Sequence, residues 1–166
     1  MRNPKLVETD VRNNYVSMEQ ALDSYGVVLD KGSLSLDEKE TEKTRKERLT
    51  ERLKLGTSPT IKTIAPTNGG KHIMSWADVI NLGENDKGER YWQCANCDHV
   101  LGSAEEDWKT LVTSYRAPLA KAQPAEFAND NDEFHLRELY CPNCAHMFEV
   151  LNIDNDRPDP VTFKLY

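Results

Sequence analysis

All four cysteines of this 166-residue chain fall in two pairs, Cys94-Ala95-Asn96-Cys97 and Cys141-Pro142-Asn143-Cys144. A Cys-x-x-Cys turn aims two sulfurs and the neighbouring backbone N–H groups at one point. Two such turns complete a tetrahedral four-sulfur site, a donor set and geometry that suit zinc. Cys94, Cys97, Cys141 and Cys144 are therefore read as the ligands of one structural zinc ion. Two other chemistries use the same sulfurs. A redox dithiol is compatible with one pair and disfavoured by two, and iron can take the place of zinc. A closed four-cysteine site leaves no coordination position for water, so it does not hydrolyse or hydrate.

No other residues form a catalytic constellation. His99 and His146 each follow a pair by two positions, and are read as neighbours of the site or surface residues rather than ligands. His72 and His135 stand apart in sequence, and nothing marks either as a general base. There is no Gly-rich phosphate loop, no Ser-His-Asp ordering and no convincing frame of paired carboxylates. The acidic runs Glu105-Glu106-Asp107 and Asp130-Asn131-Asp132-Glu133 read as solvated loops. No catalytic residue and no organic cofactor site is assigned to this chain.

The elements that must position the sulfurs read as β-hairpins. Each pair follows a segment with an aromatic residue, Trp92 or Tyr140, and precedes a polar or small residue, a His and an apolar run. The two halves echo one another, as in a zinc ribbon. Between Cys97 and Cys141 lie 43 residues, against ~15–20 in the compact pattern, so an insertion separates the hairpins. Period-two alternation predicts strands over 77–82, 89–93, 133–140, 147–151 and 161–165, with a short helix in 105–112 around Trp108.

The N-terminal zone is helical in pattern. Ser17 and Gln20 have capping-box spacing and Gly26 closes the helix they open. Ser35 and Glu38 repeat the spacing ahead of a second helix that Gly56 ends. That helix has a narrow apolar stripe, so it is marginal alone. Residues 57–71, with two prolines and two adjacent glycines, read as a linker. The expected architecture is thus α+β: a helical arm over 1–56, the linker over 57–71, and a mostly β zinc-ribbon domain over 72–166.

Composition narrows the function classes. Hydrophobic residues make up 38%, charged residues 30%, and mean hydropathy is −0.71. So polar a chain has little apolar surface to offset the entropy of ordering, which suggests that part of it folds against something else. Net charge is −7, the wrong sign for phosphate neutralisation, so nucleic acid is not an expected partner. The basic residues Lys43, Arg45, Lys46, Arg48, Arg52 and Lys54 alternate with Glu42, Glu47 and Glu51 and read as a solvated helix face. With no run of 18 apolar residues and no apolar signal core after Met1-Arg2-Asn3-Pro4-Lys5, the expectation is a cytoplasmic protein without a membrane span, where paired cysteines hold metals more often than disulfides.

Two stretches carry a family resemblance. Cys94-Ala-Asn-Cys-Asp-His-Val-Leu-Gly through Glu106-Asp107-Trp108-Lys109, then Arg137-Glu138-Leu139-Tyr140-Cys141-Pro-Asn-Cys144 and Asp159-Pro160-Val161, resembles the small gamma subunit of acetone and acetophenone carboxylases. Ala145 stands where that family has Gly after the last cysteine. The stretch from Asn3 to about Leu53, with Val16-Ser-Met-Glu-Gln-Ala and Tyr25-Gly-Val-Val-Leu29, is similar to the C-terminal end of hydantoinase B-type subunits. The resemblance implies a subunit of an ATP-dependent, biotin-independent ketone carboxylase, acetophenone-type rather than acetone-type, that forms a β-keto acid from a ketone and bicarbonate. It also implies hydantoinase A-type and B-type large subunits as partners. These, and not this chain, would hold ATP and its divalent metal. The competing readings are a free-standing zinc-ribbon binding module and the small subunit of a hydantoinase- or oxoprolinase-type amidohydrolase.

Overall fold

In a computed structural model, the structure describes residues 2–59, 70–118 and 133–156. The expected strand over 161–165 and the Asp159-Pro160-Val161 match lie outside the described residues. The chain divides into two compact units, Met1–Arg52 and Leu53–Tyr166. Helices precede antiparallel sheets in chain order, the α+β class expected.

The first unit contains α1 (Pro4–Arg12), α2 (Met18–Tyr25) and most of α3 (Glu38–Leu55). Asn3 caps α1, its side chain accepting from the Lys5 N–H, and Pro4 occupies the first turn, where its missing N–H costs nothing. The capping box of α2 is present: Gln20 N–H donates to Ser17 Oγ (3.0 Å) and Ser17 N–H to Gln20 Oε1 (3.1 Å). Gly26 ends the helix at φ 61°, a left-handed conformation that glycine adopts without steric cost. Val7, Val11, Ala21, Val27 and Leu29 form a small apolar core, with Val16, Met18, Tyr25, Leu34 and Leu36 against it.

The start of α3 departs from the expected capping box. The N-cap role falls to Asp37, whose Oδ1 accepts the Glu40 N–H at 2.9 Å. Ser35 is engaged elsewhere, with its hydroxyl 2.7 Å from that of Ser33 in a loop closed on Asp30. A carboxylate at the helix N-terminus also gains from the macrodipole, which a serine cannot match.

Only Thr41 of α3 is buried, so the helix is held mainly by polar contacts. Thr41 Oγ1 accepts the Val28 N–H at 2.9 Å. Arg45 donates to the carbonyls of Tyr25 (3.1 Å) and Arg2 (2.8 Å), and Arg48 to that of Asp23 (2.8 Å). Two residues read as a solvated basic face are thus caps for the last turn of α2. Replacing Thr41 by Val keeps the volume but leaves the Val28 N–H without its acceptor. We expect a loss of about 1–2 kcal/mol in urea unfolding, largely spared in Thr41→Ser.

The second unit holds two antiparallel meanders. One runs β1 (Lys71–Trp76), β2 (Ile80–Glu84), β3 (Arg90–Cys94) and β4 (Val100–Ser103) in chain order. The other runs β5 (Thr113–Pro118), β6 (Phe134–Tyr140) and β7 (Met147–Asp154). The expected strand over 77–82 is corrected at its start. Ala77 and Asp78 both have positive φ, 47° and 56°, and Val79 N–H donates back to Trp76 O at 3.1 Å. Two consecutive left-handed residues make the hairpin turn whose twist matches antiparallel strands. This turn joins β1 to β2, and the strand begins at Ile80.

Glycine is required at Gly83, opposite Tyr91 in the β2–β3 register. A Cβ there would lie 2.5 Å from the Tyr91 ring, so the ring covers the bare backbone. The short helix expected in 105–112 shrinks to one 3₁₀ turn, Trp108–Thr110, capped by Asp107. Thr57 pairs with Ser114 and Ser58 bonds Thr113 through their hydroxyls at 2.7 Å.

One core serves both sheets. Ile80, Leu82, Trp92 and Leu101 come from the first meander and Leu139 from the second. Ala104, Trp108, Leu111 and Val112 come from the connection between them. Trp92 is 1% exposed and its indole N–H donates to Glu106 O at 3.1 Å, which satisfies its one polar group inside an apolar cluster. This core holds the ends of β3 and β6 in place, and each of those ends meets a cysteine pair.

Candidate metal centre

The two cysteine turns are built alike. In the first, Cys94 N–H donates to His99 O (2.9 Å) and Asp98 N–H to Cys94 O (3.0 Å). In the second, Cys141 N–H donates to His146 O (2.9 Å) and Ala145 N–H to Cys141 O (2.9 Å). Asp98 and Ala145 take matching positive φ values, 56° and 53°. The register slips at the same place in both hairpins, between Trp92 and Gln93 and between Leu139 and Tyr140. Such bulges bend a strand and re-aim its side chains. Here they turn the strand ends so that sulfurs from two hairpins converge. The Gly-to-Ala departure at Ala145 leaves this geometry intact, because alanine takes the left-handed conformation at a modest steric cost.

The structure brings all four predicted sulfurs together, within 4.8 Å of one another. Cys94 Sγ lies 3.8 Å from Cys144 Sγ, and Cys97 Sγ lies 3.7 Å from Cys141 Sγ. A tetrahedron with metal–sulfur bonds of about 2.3 Å has edges of about 3.8 Å, so the cluster has the right size for a single ion. None of the four is in a disulfide. Both of these pairs link one turn to the other, and each turn supplies two of the four sulfurs, so an ion held here joins both hairpins and neither closes the site alone. The long spacing between the pairs is filled by β4, the 3₁₀ turn and β5, with residues 119–132 outside those described.

The inner and outer sulfurs differ in their electrostatics. Burial pushes the Cys94 thiol up to about 11, and it pushes Cys141 up as well. Cys97 is also opposed by burial, but the Asn143 side-chain amide and the His99 backbone N–H, among others, bring it below the ordinary thiol value. Inner sulfurs raised in this way stay protonated unless a metal ion displaces the protons. Thiols held neutral in this way are poor nucleophiles.

Four histidines remain from the sequence reading. His99 and His146 act through their backbones, accepting the cysteine N–H groups described above, and the His146 ring meets Phe148 edge-on at 6.3 Å. His72 lies 3.1 Å from the Ser75 hydroxyl and His135 2.6 Å from Asn155 Oδ1. None joins the sulfurs in a cluster among the described residues. The Asp107-Trp108-Lys109 element is structural: Asp107 caps its turn, Trp108 is buried, and Lys109 reaches Glu149 on β7 at 3.0 Å.

Two polar side chains at the centre escaped the sequence reading. Asn96 Nδ2 lies 3.5 Å from Cys144 Sγ, and Asn143 Nδ2 lies 3.6 Å from Cys97 Sγ. Each asparagine donates to a sulfur of the other turn. The signal was available in the repeated third position of Cys-x-Asn-Cys.

Among proteins of known function, no curated protein matches the chain. The family of the acetone carboxylase gamma subunit matches residues 74–161, which takes in both cysteine turns, the shared core and more than half of the sequence. The ordered turn–Trp–turn pattern and the four converging sulfurs lie inside that match, and the chain belongs to the acetone carboxylase gamma subunit family.

Proposed function

We propose that this chain is the structural, zinc-binding small subunit of an ATP-dependent, biotin-independent ketone carboxylase. The observation that carries the reading is a family match centred on a closed four-sulfur site. Such a site can fasten hairpins but offers no open position for a reacting group. Zinc, held by Cys94, Cys97, Cys141 and Cys144, supplies cross-linking of two hairpins and no chemistry on substrate. This chain contributes no nucleophile, general base or phosphate loop.

The chemistry then belongs to hydantoinase A-type and B-type large subunits. They hold ATP and a divalent metal, activate bicarbonate and the enol of a ketone, and form a β-keto acid. Residues 1–56 act as an arm that docks on a large subunit, and 72–166 form the zinc-ribbon domain beyond a linker over 57–71. The hydantoinase B-like wording of the first 53 or so residues favours an acetophenone-type ketone over acetone. The polar α3, with a single buried residue, suits a segment that gains apolar cover from a partner. No helix among the described residues is long and apolar enough to cross a membrane, which is compatible with a cytoplasmic assembly.

The test is ATP turnover by the assembly that purifies with this chain. The carboxylase reading expects turnover that requires both a ketone and bicarbonate and yields a β-keto acid. Turnover driven by a cyclic amide, indifferent to bicarbonate, would replace it with an amidohydrolase.

A further inference from the structure

The two halves of the metal centre differ in depth. Cys94 and Cys141 are fully buried, whereas Cys97 and Cys144 are partly exposed. The buried pair is already served by backbone donors. Asn96 and Cys97 N–H groups point at Cys94, and Asn143 and Cys144 N–H groups at Cys141. The outer pair receives the side-chain amides, Asn96 on Cys144 and Asn143 on Cys97, the latter beside the His99 backbone N–H. Both asparagines are exposed, and the sulfurs they meet are themselves partly exposed.

We propose that Asn96 and Asn143 form a reciprocal clamp that positions and shields the two outer sulfurs and so sets the rate at which the centre gives up its metal. Three features support this. The bonds cross between turns, so each amide fastens one hairpin to the other hairpin's ligand and must break for the turns to part. They fall on the two sulfurs that water, a chelator or an oxidant reaches first. A hydrogen bond to a metal-bound thiolate also withdraws electron density from sulfur, which lowers its reactivity toward protons and electrophiles while holding its orientation. An asparagine is suited to the task because its amide keeps its donor at any working pH and adds no charge beside a dianionic four-thiolate centre.

This inference rests on the metal-holding role proposed above, and the experiment separates the two. The full-length chain is loaded with zinc, and its zinc content and its rate of release to an excess of a colorimetric chelator are measured. Wild type, Asn96→Ala, Asn143→Ala, the double variant and Asn96→Asp are compared. Asn96→Asp keeps the side-chain shape, removes the donor and places a carboxylate beside the thiolates. Each single variant is expected to bind one zinc and release it several-fold faster. The double variant should release it roughly 10–100-fold faster, and Asn96→Asp at least as fast as Asn96→Ala. Cobalt-loaded protein gives a readout that a purely structural role leaves still. Loss of an N–H donor enriches the sulfur, so the sulfur-to-cobalt charge-transfer band should move to longer wavelength. Wild type that binds no zinc would end the metal-site reading itself. Wild type that binds zinc, with variants matching its release rate and its cobalt spectrum, would overturn the clamp alone.

Discussion

Cys141→Ser should abolish metal retention and unfold the ribbon rather than leave a well-folded protein with weaker zinc. Cys141 is fully buried and its sulfur sits 3.7 Å from Cys97 across the two turns. Serine offers an oxygen that is a poorer ligand for a soft site and is about half an ångström too short to reach the same centre. The remaining three sulfurs would then face an ion with one open position in a site built for closure. Structural zinc contributes on the order of 10 kcal/mol to small metal domains, comparable to the whole stability of an ordinary domain. Metal analysis of purified Cys141→Ser should find well under one zinc per chain, and its near-ultraviolet circular dichroism should lose the aromatic signal of the Trp92–Trp108 core. The variant should also fail to join large subunits. If it assembled normally and lacked only enzymatic turnover, the sulfurs would have a chemical role and the structural reading would be wrong.

The second large effect is expected at Trp92. Its ring is the largest fully buried side chain among the described residues and belongs to the core shared by both meanders. Truncation to alanine removes that apolar volume and leaves Glu106 O without its donor. Large-to-small changes at buried aromatics cost about 3–5 kcal/mol, and the unpaired carbonyl adds to the loss. Trp92 lies two residues before Cys94 on the same strand, so loosening the core also loosens one half of the metal site. Trp92→Ala should therefore lower the unfolding midpoint of the zinc-loaded chain by well over ten degrees and speed metal release. Trp92→Phe, which keeps most of the packing, should fall between the two. A Trp92→Ala protein that melts with the wild type would show that the ribbon is held by metal alone.

The convergence of the four cysteines was legible in the sequence because thiols are chemically distinctive and these come in a repeated spacing. No other arrangement of four cysteines in two such pairs is as economical as one closed site. The strands beside them were legible for a related reason: β3, β6 and β7 carry alternating or aromatic residues that one buried face requires. β1 was not legible. All six of its residues are exposed, so it has no buried face to impose a pattern, and its place is set by backbone pairing to β2. The turn at Ala77-Asp78 was hidden because neither residue is the glycine or asparagine that usually announces positive φ. Arg45 and Arg48 looked like two more charges on a solvated helix. Their role as caps depends on carbonyls far away in sequence, which no local pattern encodes. The asparagine donors had a local signal, the repeated Cys-x-Asn-Cys, but a polar residue in a turn has many ordinary uses.

The central claim is that this chain is a metal-fastened structural subunit whose chemistry resides in its partners. Its most direct test is gentle purification of the native protein from the cells that make it, with every co-eluting chain identified and zinc measured per copy. The account predicts two kinds of large subunit in fixed ratio with this chain, of hydantoinase A and B type, and one zinc per copy. A stable, zinc-loaded monomer that elutes without partners would contradict it.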